Sequence, residues 1–112
     1  MNYSKLTDGE ISVLVGRIEN PKHKVELGEI NPKSATIFRG FGRVIHRFSF
    51  CPCNRSEDGF RIAIRERISL TPHGKTSWRA SHESGVSASN RNPLRAAMIV
   101  FLMMKEAEGG SG

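Results

Sequence analysis

The sequence predicts an α+β fold: a small antiparallel sheet packed against an N-terminal helix and an apolar C-terminal helix, with a short central helix. Three patterns carry this expectation. Ile11, Leu14, Val15 and Ile18 recur at helical spacing behind a capping sequence. Val44, His46, Phe48 and Phe50 alternate with Arg43, Ile45, Arg47 and Ser49, which is the period of a strand. The run from Asn92 to Glu106 is apolar almost all the way round a helix, a pattern that normally means burial.

The first helix is defined at both ends. Thr7-Asp8-Gly9-Glu10 reads as a capping box, with Leu6 and Ile11 placed as a hydrophobic staple. Gly16 weakens the helix by about 1 kcal/mol relative to alanine, and Asn20-Pro21 ends it. The helix is expected from Asp8 to Glu19. Lys24–Leu27 and Ala35–Arg39 alternate as strands around a turn at Asn31-Pro32-Lys33. Gly40-Phe41-Gly42 interrupts the pattern before the strand Arg43–Phe50, so a meander of two or three strands is expected.

The loop from Cys51 to Asp58 leads to a short helix, about Glu57–Glu66. Ser56 is available to cap it, and Glu57 and Asp58 favour its N-terminus. Phe60, Ala63, Ile64 and Arg67 fit a helical stripe, although Phe60, Ile62 and Ile64 fit strand alternation equally well. A hairpin follows, with Ile68–Thr71 and Thr76–Ala80 flanking Pro72-His73-Gly74-Lys75. Residues His82–Asn90 are Ser-rich and read as a structureless loop. Asn92 caps the last helix and Pro93 takes its first position. Each large apolar side chain left in water there would forfeit about 1.5–3 kcal/mol, so the helix belongs against the sheet. Any apolar face left over would serve a homodimer through this helix.

A chain of 112 residues fits one domain, residues 1–107, followed by a disordered tail or linker at 108–112. No apolar run approaches the roughly 18–20 residues of a membrane span, and the N-terminus lacks the apolar core of a signal peptide. A soluble cytoplasmic protein is the expectation. Cys51 and Cys53, separated only by Pro52, are too close for a relaxed disulfide and read as two free thiols in a reducing compartment.

Charge is where the sequence points to a partner. The formal charge is +6, and the excess lies between Ile37 and His82, where Glu57, Asp58 and Glu66 face a much larger set of bases, mostly arginine. Such asymmetry suits an anionic partner. Arg39, Arg43 and Arg47 recur every four residues, which on one strand keeps them on one face. Arg61 and Arg65 are i and i+4 on a helix. Phe41 and Trp78 would supply stacking surfaces if exposed. Arg39, Arg43, Arg47, Arg61, Arg65 and Trp78 are therefore the candidate partner-binding residues, set against the blander reading of a solvated charged face.

Other chemistries are poorly served. Four histidines and one Cys-Pro-Cys lack the paired spacing of a zinc site, so no metal is expected. Cys51 or Cys53 with His46 has the residue types of a thiolate pair, but a packing role for the cysteines is favoured. Gly40-Phe41-Gly42-Arg43 is neither a Walker loop nor a dinucleotide fingerprint. No catalytic residue and no cofactor is assigned, and the protein is not expected to be an enzyme.

Three segments carry a resemblance: Met1-Asn2-Tyr3-Ser4-Lys5-Leu6-Thr7-Asp8, Cys53-Asn54 through Arg67-Ile68-Ser69-Leu70, and Asn92-Pro93-Leu94-Arg95 through Met104. Together they resemble the NinX-like family, small accessory proteins of temperate bacteriophages with no established activity or site. The resemblance covers roughly half the chain, and the last segment is its specific part. Gly59-Phe60-Arg61 stands where that family tends to show Ala-Trp-Pro, so a surface near Phe60 would differ here. The resemblance implies a cytoplasmic protein of the infected bacterium. The expected role is to bind and modulate a host or defence protein with an acidic surface. The second expectation is a nucleic-acid-binding module in phage replication, recombination or regulation.

Overall fold

Thr7 and Glu10 exchange both hydrogen bonds of the capping box: the Thr7 hydroxyl accepts from the Glu10 amide at 3.1 Å, and the Thr7 amide donates to the Glu10 carboxylate at 2.9 Å. Helix α1 accordingly runs Asp8–Glu19, and Asn20 closes it by donating from Nδ2 to the Gly16 carbonyl at 3.0 Å. These coordinates are a computed structural model that describes residues 2–110. Its remaining elements are β1 (Lys24–Leu27), β2 (Ala35–Phe41), β3 (Val44–Phe50), α2 (Ser56–Arg65), β4 (Ser69–His73), β5 (Ser77–Ser81), β6 (Ser87–Asn90) and α3 (Pro93–Gly110). A short 3-10 turn, Tyr3–Lys5, precedes α1.

The fold is α+β, and its strands form two antiparallel three-stranded sheets, ordered β1-β2-β3 and β4-β5-β6. The first sheet packs on α1 through β1 and β2. The second packs on α3, which also touches α1 and α2. The apolar C-terminal helix is thus the centre of the domain. Ala96–Leu102 and Met104 are all buried and Phe101 is fully so, while Met103 is half-buried. One chain covers its own apolar run, so α3 retains no open apolar stripe between Ala96 and Met104 for the homodimer face expected there.

Gly16, read in the sequence as a weak point, has a packing reason. A Cβ there would stand 3.0 Å from Val25 Cγ1 and 3.4 Å from the Phe50 ring, so this is where α1 lies directly on the first sheet. Ser12, buried in the same helix, donates to the Asp8 carbonyl at 2.8 Å and to the Lys33 carbonyl at 3.0 Å. At the other end of the chain, Asn92 Oδ1 accepts from the Leu94 and Arg95 amides at 2.9 and 3.3 Å, with Pro93 at the first helical position. Two long-range bonds then fix the N-terminus to α3. Arg95 Nη1 pairs with Asp8 Oδ1 at 2.6 Å, and the Tyr3 hydroxyl donates to Glu106 at 2.7 Å.

Four local expectations are corrected. Residues Ser87–Asn90, expected as loop, form β6, because β5 offers them a ladder from Ser81↔Ser87 to Trp78↔Asn90. Helix α2 starts one residue earlier than expected, with Arg55 as its N-cap and no side-chain cap. Asp58 reaches back instead to accept from the Cys51 amide at 2.9 Å. Helix α3 continues through Glu108–Gly110, where a tail was expected to begin, and Ser111 and Gly112 lie outside the described residues. Strand β3 begins at Val44, not Arg43, and of the face Val44, His46, Phe48 and Phe50 only Phe50 is buried. Strand β3 packs mainly on β2, and α1 ends at Glu19, beside the base of the β2–β3 hairpin.

Candidate functional site

The β2–β3 hairpin is closed by the two-residue loop Gly42-Arg43, with Gly42 at φ 65°, a left-handed conformation glycine adopts freely. Paired residues of an antiparallel ladder point to the same face. The register Ile37↔Phe48, Arg39↔His46 and Phe41↔Val44 therefore puts these six on one face, continuous with buried Ala35 and Phe50. Phe38↔Arg47 and Gly40↔Ile45 belong to the other. Arg39 and Arg47 are thus on opposite faces, and Arg43 is in the turn. Counting fours along the sequence fails because the chain reverses between Arg39 and Arg47.

What the hairpin presents is basic and apolar together. Phe41, Val44 and Ile45 are 60%, 56% and 63% exposed, and Phe48 is also open. The Arg39 guanidinium lies over the Phe48 ring at 5.0 Å, and that of Arg47 over Phe38 at 5.6 Å, so each arginine is oriented by an aromatic neighbour. Phe41 meets His46 edge-on, with ring centroids 5.2 Å apart. No acidic side chain occurs from Ala35 to Phe50. Phe38, Val44, Ile45, His46 and Phe48 were not singled out as binding residues, because alternation tells which residues share a face and not whether that face is covered. The signal available in the sequence was the crowding of arginine into an apolar strand.

The other candidates sort differently. Arg39 is half-buried at the foot of the hairpin, where Nη2 donates to Asn20 Oδ1 at 2.9 Å and Nε is buried without a partner. Arg61, exposed on α2, lines the same cleft with Glu19 and Asp58. Arg65 is exposed but engaged in ion pairs within the chain. Its Nη1 and Nη2 grip both Glu19 oxygens at 2.6 and 2.8 Å, its Nε pairs with Glu66 at 3.0 Å, and its pKa is raised by these partners against the effect of burial. Trp78 lies on the second sheet, beside Phe60, Ile64, Leu70, Pro93 and Leu94. The structure therefore brings Arg39 and Arg61 to one cleft, leaves Arg47 on the hairpin's opposite face and Arg43 in its turn, ties Arg65 into an ion pair with Glu19 and Glu66, and puts Trp78 on a separate apolar surface.

The thiols are placed to pack. Cys51 and Cys53 are free and buried. Burial, with Asp8 and Cys51 nearby, pushes the Cys53 thiol up to about 12 against the opposing pull of Arg95, which leaves almost no thiolate at neutral pH. His46, the partner considered for them, is exposed on the hairpin. Among the described residues no group of three or more His, Cys, Asp or Glu side chains converges to hold a metal ion, and no helix is long and apolar enough to cross a membrane.

No protein in a search of curated proteins matches the chain significantly. A family model does: the one described as Bacteriophage P22, NinX, matches residues 2–105. That span takes in every element from the first 3-10 turn through most of α3, and so both the hairpin and the core beneath it. The chain belongs to the bacteriophage NinX family.

Proposed function

We propose that this protein is a phage accessory factor that binds and modulates a host or defence protein in the cytoplasm of the infected bacterium, through the β2–β3 hairpin, and that it is not an enzyme. One observation carries the reading: the hairpin exposes Phe41, Val44, Ile45 and Phe48 beside Arg39, Arg43 and Arg47, with no acid on either strand. An apolar surface of this kind is disfavoured in water unless something covers it. Its arginine rim selects a partner with an acidic surface and speeds encounter with it. Arg61 extends the same rim across the cleft at the hairpin's foot.

A nucleic-acid-binding role is the second reading, favoured by the open Phe41 ring among arginines. Against it, the Phe38 and Phe48 rings already carry guanidinium groups, which leaves Phe41 as the hairpin's main platform for a base. Affinity purification from bacterial lysate, with and without nuclease, separates the two. The proposal expects a stoichiometric protein that survives nuclease and is lost with Arg43→Glu/Arg47→Glu/Arg61→Glu, but kept by the control Lys22→Glu/Lys75→Glu. Recovery only through nucleic acid, with retention falling steeply as salt rises, would replace it by the second reading.

A further inference from the structure

The two sheets have four edges, and three of them are blunted. Strand β1 has four residues, and Arg17 Nε donates to its Val25 carbonyl at 3.4 Å. Strand β4 contains Pro72, and β6 is a four-residue polar strand. Strand β3 is different. It has seven residues, and everything from Val44 to Ser49 is exposed.

The register says which of its backbone groups are free. A two-residue loop makes Phe41 and Val44 a hydrogen-bonded pair, and such pairs alternate along an antiparallel ladder. Val44, His46, Phe48 and Phe50 therefore turn their amides and carbonyls toward β2, while Ile45, Arg47 and Ser49 turn theirs outward. Arg55 closes the far end by donating to the Ser49 carbonyl at 3.4 Å. The amides and carbonyls of Ile45 and Arg47 are left as an open template.

From this we infer that β3 accepts a strand of the partner protein, an extended segment that adds to the first sheet as a fourth strand and alternates acidic with apolar side chains. The inference rests on the hairpin being the binding surface and specifies how it binds. Acidic side chains on one face of the added strand meet Arg47, while apolar ones on the other lie against Val44 and Phe48. Charge excludes a second copy of this chain as the occupant. Antiparallel pairing of β3 with itself, centred on Ile45, His46 or Arg47, sets Arg47 opposite Arg43, diagonal to its twin, or opposite its twin. Neither β2 nor β3 carries an acid to compensate.

The probe is a short fluorescein-labelled peptide of alternating Glu and Val, with its Lys-Val counterpart as control, followed by fluorescence anisotropy. The Glu-Val peptide is expected to bind and the Lys-Val peptide not. Ile45→Pro removes one outward amide without touching a bond to β2 or any arginine, and should weaken binding about fivefold or more, whereas Ile45→Thr stays within about twofold. In the wild-type protein, bound peptide should slow amide exchange at Ile45 and Arg47 while leaving Val44 and His46, already bonded to β2, little changed. That measurement stands even if Ile45→Pro does not fold.

If Arg43→Glu/Arg47→Glu abolishes binding while Ile45→Pro does not and no amide is protected, the hairpin binds through side chains alone. Strand addition then fails and the proposed function survives. If peptide binding is absent, or indifferent to every variant, this inference falls. If the lysate protein is also kept by the arginine variants, the surface falls with it.

Discussion

Replacing Arg95 by Met should cost about 3 kcal/mol of folding stability. The guanidinium pairs with Asp8 at 2.6 Å and donates from Nη2 to the Ser4 and Leu6 carbonyls at 3.2 and 2.5 Å. It is nearly enclosed: 13% of its side chain is exposed, against 21% for Asp8. Removing one member of a fully buried pair costs about 3–5 kcal/mol, and each hydrogen bond to a charged group contributes about 1.5–3. The lower end applies because Asp8 keeps its bond from Asn54 Nδ2 at 3.0 Å and some water. Methionine retains the apolar stem, so packing loss is small. Urea unfolding followed by circular dichroism reads the change, and the same loss lowers Tm by about 12 °C for a domain of this size. Asp8→Asn alone should cost less, and the double variant should be clearly non-additive, because the two side chains share one bond. A loss below about 1 kcal/mol for Arg95→Met, or simple additivity, would refute the idea that this pair holds the N-terminus on α3.

Three further outcomes follow from other parts of the molecule. Arg67 sits at φ 57° just past α2, in a Schellman motif closed by Ile68 N to Ala63 O at 2.9 Å and Arg67 N to Ile64 O at 3.1 Å, so Arg67→Gly should gain about 1 kcal/mol in urea unfolding while Arg67→Ala gains nothing. With its thiol near 12 rather than the ordinary 9.0, Cys53 holds about a thousandfold less thiolate at neutral pH, so iodoacetamide should label it slowly in the native protein and readily in urea. Burial raises the Glu66 pKa, but bonds from Arg65 and Lys105 outweigh it and leave the carboxyl below 4.5. A depressed carboxylate stabilises the fold above its unfolded pKa and loses that contribution as pH falls through the folded one. The urea midpoint should therefore drop below pH 4.5, and less so in Glu66→Gln.

Local chemistry was legible in the sequence and long-range chemistry was not. The capping box at Thr7, the stop at Asn20, and the Asn92-Pro93 start of α3 are read correctly because cap and helix end are within a few residues. The apolar run of α3 announced burial, and the fold buries it. The Arg39, Arg43, Arg47 stripe was misread because Gly42-Arg43 is a reversal, which converts even spacing along a chain into opposite faces of a ladder. Strand β6 was missed because Ser-Ala-Ser-Asn has no apolar alternation and owes its conformation to β5. Arg65 looked free because Glu19, its partner, is 46 residues away. No signal marked Arg67, since the position it occupies is normally announced by glycine.

Site-specific photo-crosslinking shows whether the hairpin is the surface that touches the partner. A benzophenone amino acid is introduced at Phe41, at the hairpin tip, or at Trp78, on the other sheet, and irradiated in living bacteria. With the hairpin as the binding surface, position 41 gives a single nuclease-resistant protein adduct, abolished by Arg43→Glu/Arg47→Glu, and position 78 gives none. An adduct from position 78 alone, or one from position 41 that nuclease removes, would contradict it.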